Sequence, residues 1–245
     1  MKCLILAAGY ATRLYPLTKH IPKPLLKVGE KTIVDWLLDD IDTSGAVDQY
    51  IMISNHKYAS HFQQWAAGRS QPIAIVDDGT CANENRLGAV RDIQFAIDQM
   101  KLRDDLLIIA GDNVLDFSLT RFICYAQEKK TSCAMRYHET DGNRLKQSGV
   151  AEVGENDVLL SLTEKPERPK SPWCTPPFYF YTARDAARIQ EAIDSGCGTD
   201  APGSLLAWMC QHSTVHSMKM PGRRYDIGNL ESYEQVKAEY GGITM

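Results

Sequence analysis

Basic side chains cluster in one stretch near the start of the chain. Residues 6–28 (LAAGYATRLYPLTKHIPKPLLKV) contain no helix or strand pattern, but they include Arg13 and Lys23. The small residues at 7–9 would let backbone N–H groups approach a ligand, and such groups bind anions. The Arg13 guanidinium can donate a bidentate pair of hydrogen bonds to phosphate oxygens, and the Lys23 ammonium is a point charge between two prolines. The stretch predicts a polyphosphate cradle, with a solvated surface loop as the alternative interpretation.

Acidic side chains occur in three later motifs, and two of these motifs also have a purely structural interpretation. Asp112 lies in GDN (111–113), directly after an apolar run, and such a triplet after a strand is typical of a turn. Asp226 lies in YDIGN (225–229). Glu164 and Lys165 begin the EKP triplet, which by itself fits a solvent-exposed strand end. Considered alone, these motifs leave their roles open.

Stretch 6–28 resembles the N-terminal signature of the sugar-1-phosphate nucleotidylyltransferases, which include glucose-1-phosphate thymidylyl- and uridylyltransferases and mannose-1-phosphate guanylyltransferases. The GDN, EKP and YDIGN motifs follow in the family's order, so the resemblance covers almost the whole chain. It implies an enzyme of the nucleotidyltransferase class, in NDP-sugar biosynthesis. The partners would be a nucleoside triphosphate and a sugar 1-phosphate, the cofactor Mg²⁺, and the products an NDP-sugar and pyrophosphate.

The resemblance also implies a role for individual residues. The expected catalytic residues are Arg13, Lys23 and Lys165. The expected nucleotide-binding residues are Leu6, Ala7, Ala8, Gly9, Tyr10, Thr12, Arg13, Lys23, Asn83, Gly88 and Asp112. The expected sugar-phosphate-binding residues are Gly149, Glu164, Lys165 and Tyr179, although the aromatic run around Tyr179 also fits a core strand. The resemblance makes Asp112 and Asp226 the expected Mg²⁺ ligands. The charges agree with this, because two carboxylates beside a triphosphate would repel it without a divalent cation.

The sequence leaves open which nucleotide and which acceptor phosphate the protein binds. Relatives commonly have a second glycine in the first loop, where this chain has Tyr10 and Ala11. In the segment 83–90, the side-chain amide of Asn83 could bind the edge of a pyrimidine base. UTP or dTTP is the favoured nucleotide. One alternative is a CTP-dependent cytidylyltransferase for phosphocholine or another small phosphate. Another is a nucleotide-sensing relative without catalysis.

Alternating elements must position these residues. Buried strands are predicted from apolar runs at 3–8, 50–53, 73–76 and 106–110. Helical spacing between the runs predicts amphipathic helices, one through Ile33, Val34, Leu37, Leu38 and Ile41, another through Val90, Ile93, Ile97 and Met100. This order predicts an α/β fold, a Rossmann-like three-layer α/β/α arrangement around a mostly parallel mixed sheet. Ligands of such sheets bind at the carboxyl ends of the strands, where the motifs occur.

After about residue 130 the pattern changes. Shorter strand-like pieces at 131–137, 148–153, 158–163 and 178–182 predict an antiparallel or mixed extension of the sheet. We expect a single nucleotidyltransferase domain over 1–240 and a C-terminal tail over 241–245.

The composition of the chain argues against some classes of binding partner. The 245 residues carry 27 basic and 31 acidic side chains, a formal net charge of −4, with no basic stripe of the kind nucleic-acid binding needs. No apolar run approaches the length of a membrane span. Seven cysteines without a CxxC pair predict reduced, mostly buried thiols. We therefore expect a cytoplasmic protein without nucleic-acid or membrane partners. The family resemblance implies that the chain can form a homo-oligomer.

Overall fold

The structure, a computed structural model, describes residues 1–244 and forms two compact units that interleave along the chain. The first unit comprises Met1–Arg86, Ala110–Arg121 and the chain from Pro221 onward. The second comprises Leu87–Ile109 and Phe122–Met220. The single domain over 1–240 stays a prediction, and Met245, at the end of the predicted tail, lies outside the described residues.

Strands and helices alternate through most of the chain. The strands are β1 (Lys2–Leu6), β2 (Lys27–Val28), β3 (Lys31–Thr32), β4 (Gln49–Ser54), β5 (Ile73–Asp77), β6 (Leu106–Ala110), β7 (Asn113–Leu115), β8 (Ser132–His138), β9 (Gly149–Val153), β10 (Leu159–Glu164), β11 (Trp173–Thr175), β12 (Phe178–Tyr181), β13 (Val215–Lys219) and β14 (Arg224–Asp226). The helices are α1 (Ile33–Asp42), α2 (His56–Ala67), α3 (Ala89–Met100), α4 (Thr120–Lys129), α5 (Gly142–Leu145), α6 (Ala183–Ala186), α7 (Ile189–Asp194), α8 (Pro202–His212) and α9 (Leu230–Glu239).

Three parallel strands form the centre of the first unit. β1 pairs with β4, Leu6 lying opposite Ile53, and β4 pairs with β5, Ser54 lying opposite Asp77. The apolar runs that predicted β1 and β4 are buried. Because parallel strands end at the same edge, the segments after Leu6, Ser54 and Asp77 come close together, as the sequence predicted.

The second unit has a mixed arrangement. Its strands follow the order β10, β9, β11, β8, β12, β6, and β13 lies parallel to β8. The pairs β10–β9, β9–β11, β11–β8, β8–β12 and β12–β6 are antiparallel. The predicted change to antiparallel or mixed pairing after residue 130 is confirmed.

The loop after β1 is more ordered than the sequence pattern predicted. It contains three 3₁₀-helices, Thr12–Leu14, Leu17–Lys19 and Lys23–Leu25. Single 3₁₀ turns leave no apolar period in the sequence, which is why the pattern missed them. The Thr18 hydroxyl donates to the Ala11 carbonyl at 2.8 Å, and the Tyr58 hydroxyl donates to the Thr18 carbonyl. The first bond lies within the loop, and the second attaches the loop to α2.

Ala11 is held in the left-handed backbone region, with φ 47° and ψ 43°. That conformation costs a residue with a Cβ about 1–2 kcal/mol, which glycine avoids, although glycine also gains about 0.4–1 kcal/mol of freedom when unfolded. Ala11→Gly should therefore raise the free energy of unfolding by about 0.5 kcal/mol, measured as a higher urea midpoint with an unchanged slope. Ala66→Gly, inside α2, is the control and should lower the midpoint. A lower midpoint for Ala11→Gly would contradict the prediction.

The seven cysteines are all free, as predicted. Only Cys3, Cys133 and Cys174 are buried, whereas Cys81 and Cys124 are exposed, so the expectation of mostly buried thiols is wrong. Cys81 lies in the turn beyond β5 and Cys124 in α4, both at positions that packing leaves open. Within residues 1–244, each helix is too short or too polar to cross a bilayer.

Candidate active site

Lys23 and Asp112 form an ion pair in the first unit. The Lys23 ammonium donates to Asp112 Oδ2 at 2.7 Å. Lys23 begins the third 3₁₀-helix, where Pro22 precedes it and Pro24 follows it, and it is only 8% exposed. The Asp112 side chain is 40% exposed. The pair thus joins a rigidly held cation to a carboxylate that is still open to a ligand.

The environment keeps Asp112 ionised. Burial alone would raise the pKa of Asp112, but the charge and hydrogen bond of Lys23, together with the charge of Arg224, outweigh it and leave the pKa below its ordinary value. At neutral pH the side chain is a carboxylate, the form that ligates a metal ion.

Gly111 allows the Asp112 turn to pack closely against the loop that carries Lys23. Its N–H donates to the Leu6 carbonyl at 3.0 Å. A Cβ at this position would stand 2.9 Å from Ile5 Cγ2 and 3.5 Å from Pro24 Cγ. The glycine of GDN therefore serves packing between the Asp112 turn, β1 and the Lys23 loop.

Asn113 and Arg224 extend the pair into a chain of polar contacts. The Asn113 amide donates to Asp112 Oδ1 at 2.9 Å, and Arg224 Nη1 donates to Asn113 Oδ1 at 2.7 Å. The same Nη1 lies 3.7 Å from Asp226 Oδ1. We call Lys23, Asp112, Asn113, Arg224 and Asp226 the charged relay. Sequence reasoning missed both Asn113, which follows Asp112 in GDN, and Arg224, which directly precedes YDIGN.

The relay offers a donor set that fits Mg²⁺. Pairing of β7 with β14 sets Asp226 opposite Asn113, one residue from Asp112. The Asp112 side chain is 40% exposed and the Asp226 side chain 66% exposed, so both carboxylates are open to a ligand. Residues 1–244 contain no group of three or more candidate metal ligands. Mg²⁺ is commonly held by one or two carboxylates and completed by water and phosphate oxygens, so two carboxylates suffice.

The backbone of the segment after β1 is partly engaged within the protein, and its binding to a ligand stays a prediction. The Ala7 N–H donates to the Ile53 carbonyl at 2.9 Å, and the Asn55 amide donates to the Ala8 carbonyl at 2.9 Å. Around Gly9 a Cβ would meet nothing within 4 Å, which leaves this backbone open. Asn55, which also caps α2, is a third residue that the sequence analysis missed. An asparagine directly after a buried strand was the available signal.

The side chains of this segment point in different directions. Tyr10 is turned inward, and its hydroxyl donates to the Thr80 carbonyl at 2.9 Å. Any contact of Tyr10 with a nucleotide is thus expected from its backbone. Thr12 and Arg13 are exposed in the first 3₁₀-helix, and Leu6 is half-buried at the end of β1. Asn83, half-buried, begins a 3₁₀-helix that follows β5.

Gly88 lies in the second unit and has a structural reason to be glycine. Its φ is +90°, and a Cβ would stand 2.5 Å from the Thr199 carbonyl oxygen. The next two N–H groups, of Ala89 and Val90, donate to the carbonyls of Asp200 and Thr199 at 3.2 and 3.0 Å. The start of α3 is therefore packed against its own chain. Nucleotide binding by Gly88 stays a prediction.

Gly88→Ala should destabilise the protein by about 2–4 kcal/mol, since it adds backbone strain to a clash with a backbone oxygen. Gly196→Ala is a matched control, because Gly196 has φ +89° and a Cβ there would meet nothing within 4 Å. The control should lose only about 1 kcal/mol, the cost of strain alone. Urea unfolding of both variants measures the difference. Equal losses would show that the Thr199 contact is unimportant.

The predicted sugar-phosphate residues lie in the second unit. Glu164 ends β10 opposite Gly149 of β9, and Lys165 follows with its N–H donating to the Ser148 carbonyl at 3.0 Å. Lys165 is exposed and has a left-handed backbone, φ 45°. Burial raises the pKa of Glu164, and the charge of Lys165 offsets this in part. These three residues are brought together at one strand end.

Tyr179 lies apart from that strand end in the pairing order. It is buried in β12, opposite Ile108 of β6 and Ala134 of β8. Its ring centroid is 6.1 Å from that of Tyr181. This packing fits the core-strand alternative, and a role of Tyr179 in acceptor binding stays a prediction.

Comparison with known proteins identifies the family of this chain. Residues 2–241 match the family model described as nucleotidyl transferase. A glucose-1-phosphate thymidylyltransferase of Neisseria meningitidis is 28% identical, over 96% of this chain and 81% of the relative. The UTP–glucose-1-phosphate uridylyltransferase AglF of Haloferax volcanii is 24% identical, over 97% of this chain and 95% of the relative.

Solved structures show the same fold. A UDP-glucose pyrophosphorylase crystallised with UDP-glucose superimposes with a TM-score of 0.81, at 19% sequence identity, covering 98% of this chain and 97% of that one. The expected α/β class, with a Rossmann-like mixed sheet, is thereby confirmed.

Proposed function

The chain belongs to the nucleotidyl transferase family, and from this premise we propose that it is a Mg²⁺-dependent enzyme joining a nucleoside triphosphate to a sugar 1-phosphate. The products are an NDP-sugar and pyrophosphate. UTP or dTTP is the proposed nucleotide and glucose 1-phosphate the first acceptor to test, because the two relatives compared above carry uridylyl and thymidylyl names.

The charged relay is the observation that carries the proposal. It alternates a cation, a carboxylate, an amide, a second cation and a second carboxylate within the first unit. A triphosphate brings several negative charges, which such cations attract. The two carboxylates then need a divalent ion between themselves and the phosphates.

The reaction requires positioning more than covalent chemistry. A phosphate oxygen of the sugar phosphate attacks the α-phosphorus in line, one P–O bond forms, and the bond to the β-phosphate oxygen breaks with departure of pyrophosphate. Arg13 and Lys23 stabilise charge on the triphosphate and on the leaving pyrophosphate. Lys165 holds the attacking phosphate. Bound Mg²⁺ would supply charge neutralisation and polarisation of phosphate oxygens.

Pyrophosphate release is the test. We expect Mg²⁺-dependent release for one pair in a grid of UTP, dTTP, CTP, ATP and GTP against hexose 1-phosphates and phosphocholine, and none with EDTA. Release only with CTP and phosphocholine would replace the sugar acceptor by a small phosphate. Nucleotide binding by calorimetry without release from any pair would instead indicate a sensor and contradict the proposal.

A further inference from the structure

Three residues form a row across adjacent strands of the second unit. Glu164 of β10 lies opposite Gly149 of β9, and Gly149 lies opposite Thr175 of β11. Directly opposed residues of antiparallel strands project from the same face of the sheet. The row therefore presents a carboxylate and a hydroxyl on either side of a position that has no side chain.

The missing side chain lets two oxygen atoms approach the same point beside Gly149. The point where a Cβ on Gly149 would stand is 3.1 Å from Glu164 Oε1 and 3.2 Å from Thr175 Oγ1. Both distances are shorter than an ordinary carbon contact, so glycine is what allows the two oxygens to converge over its Cα. We call the surface above Gly149, between these two oxygens, the Gly149 opening.

The Thr175 hydroxyl has no partner in the protein. Thr175 is only 7% exposed, and its Oγ1 makes no hydrogen bond within the described chain. A buried hydroxyl without a partner is costly, and native proteins rarely keep one. A group that enters the opening and bonds to this hydroxyl would remove that cost.

The Glu164 carboxylate is held in place from the other side. A Cβ on Gly203, in the first turn of α8, would stand 1.7 Å from Glu164 Oε1, so only glycine leaves room for the carboxylate there. The start of an α-helix carries partial positive charge, which favours a nearby carboxylate. Glu164 is thus fixed as an acceptor beside the opening.

We propose that Thr175 is a specificity-determining residue for the acceptor, recognising a sugar hydroxyl that enters the Gly149 opening. The Thr175 hydroxyl donates to the oxygen of that sugar hydroxyl, and the sugar hydroxyl donates to Glu164. A quaternary ammonium group can make neither hydrogen bond, so a dependence of acceptor binding on the Thr175 hydroxyl distinguishes a sugar phosphate from phosphocholine. This inference rests on the proposed function and names the acceptor chemistry of that site.

Thr175→Val tests the proposal, since it removes the hydroxyl and keeps the shape. The KM for the sugar 1-phosphate should rise about five- to tenfold, the effect of one hydrogen bond, while kcat and the KM for the nucleotide change less than twofold. The melting temperature of the ligand-free protein should rise, because an unpaired buried hydroxyl is gone. Thr175→Ser should restore the low KM. Thr163→Val, at an exposed position of β10, is the control and should change none of these values.

Monodeoxy sugar phosphates identify the hydroxyl that is recognised. For wild type, the KM for one of these analogues should be about five- to tenfold higher than for the parent sugar phosphate. Thr175→Val should lose this difference and keep the differences for the other analogues. A valine variant with unchanged acceptor preference, or with a lower melting temperature, would overturn the proposal. The melting temperature and calorimetric binding of the sugar phosphate do not require turnover. If wild type transfers no nucleotide, the proposed function is wrong. The melting temperature and the calorimetric binding still test whether the Thr175 hydroxyl binds the sugar phosphate.

Discussion

Replacing Lys23 with alanine should leave a folded protein whose turnover is about 10²–10³-fold lower, the usual cost of losing one charge that stabilises the transition state. Lys23 is buried and fixed between two prolines, so its ammonium is held in one position beside Asp112. Asp112 keeps its hydrogen bond from Asn113 in the variant, which supports folding. Steady-state pyrophosphate release measures the loss, and circular dichroism checks the fold.

Lys19→Ala is the matched control for this prediction. Lys19 belongs to the same loop and is exposed, so its loss should change turnover less than twofold. A Lys23→Ala protein that retains more than a tenth of wild-type turnover would show that Lys23 has no catalytic role.

Asp112→Asn should have an effect of similar or greater size, with turnover lowered by at least about 10²–10³-fold. The amide keeps the shape of the side chain but removes a negative charge from the proposed metal site. Binding of Mn²⁺, followed by electron paramagnetic resonance, should weaken as well, which separates loss of the ion from loss of the nucleotide. The urea midpoint should fall because the buried Lys23 ammonium loses its charged partner.

Asp48→Asn provides the comparison for Asp112→Asn. Asp48 is an exposed carboxylate that pairs with Lys2 at 3.0 Å, and surface pairs contribute little. We expect unchanged Mn²⁺ binding and turnover. Wild-type Mn²⁺ affinity in Asp112→Asn would remove Asp112 from the metal site.

Much of the fold was predictable because burial leaves a local signal. Unbroken apolar runs predicted β1, β4, β5 and β6, and the spacing of Ile33, Leu37 and Ile41 predicted α1. The short antiparallel strands of the second unit could be predicted as a change of pattern. Their pairing order could not, because it is set by contacts between distant parts of the chain.

The candidate site divides in the same way. Lys23 and Asp112 stand in recognisable motifs, and the structure joins them as an ion pair. The contacts of Asn113 with Arg224 link positions 111 residues apart, which no local pattern reveals. Thr175 could be recognised only after the register showed a glycine beside it and its hydroxyl proved to have no partner.

The left-handed backbone of Lys165 has a consequence for sequence drift. Glycine or asparagine adopts this conformation more readily than lysine, so retaining lysine works against stability. Selection for activity would have to maintain it. In a lineage released from that selection, we expect substitution at this position to glycine or asparagine to be among the early changes. A descendant that has lost the activity could then be recognised by its sequence before any assay.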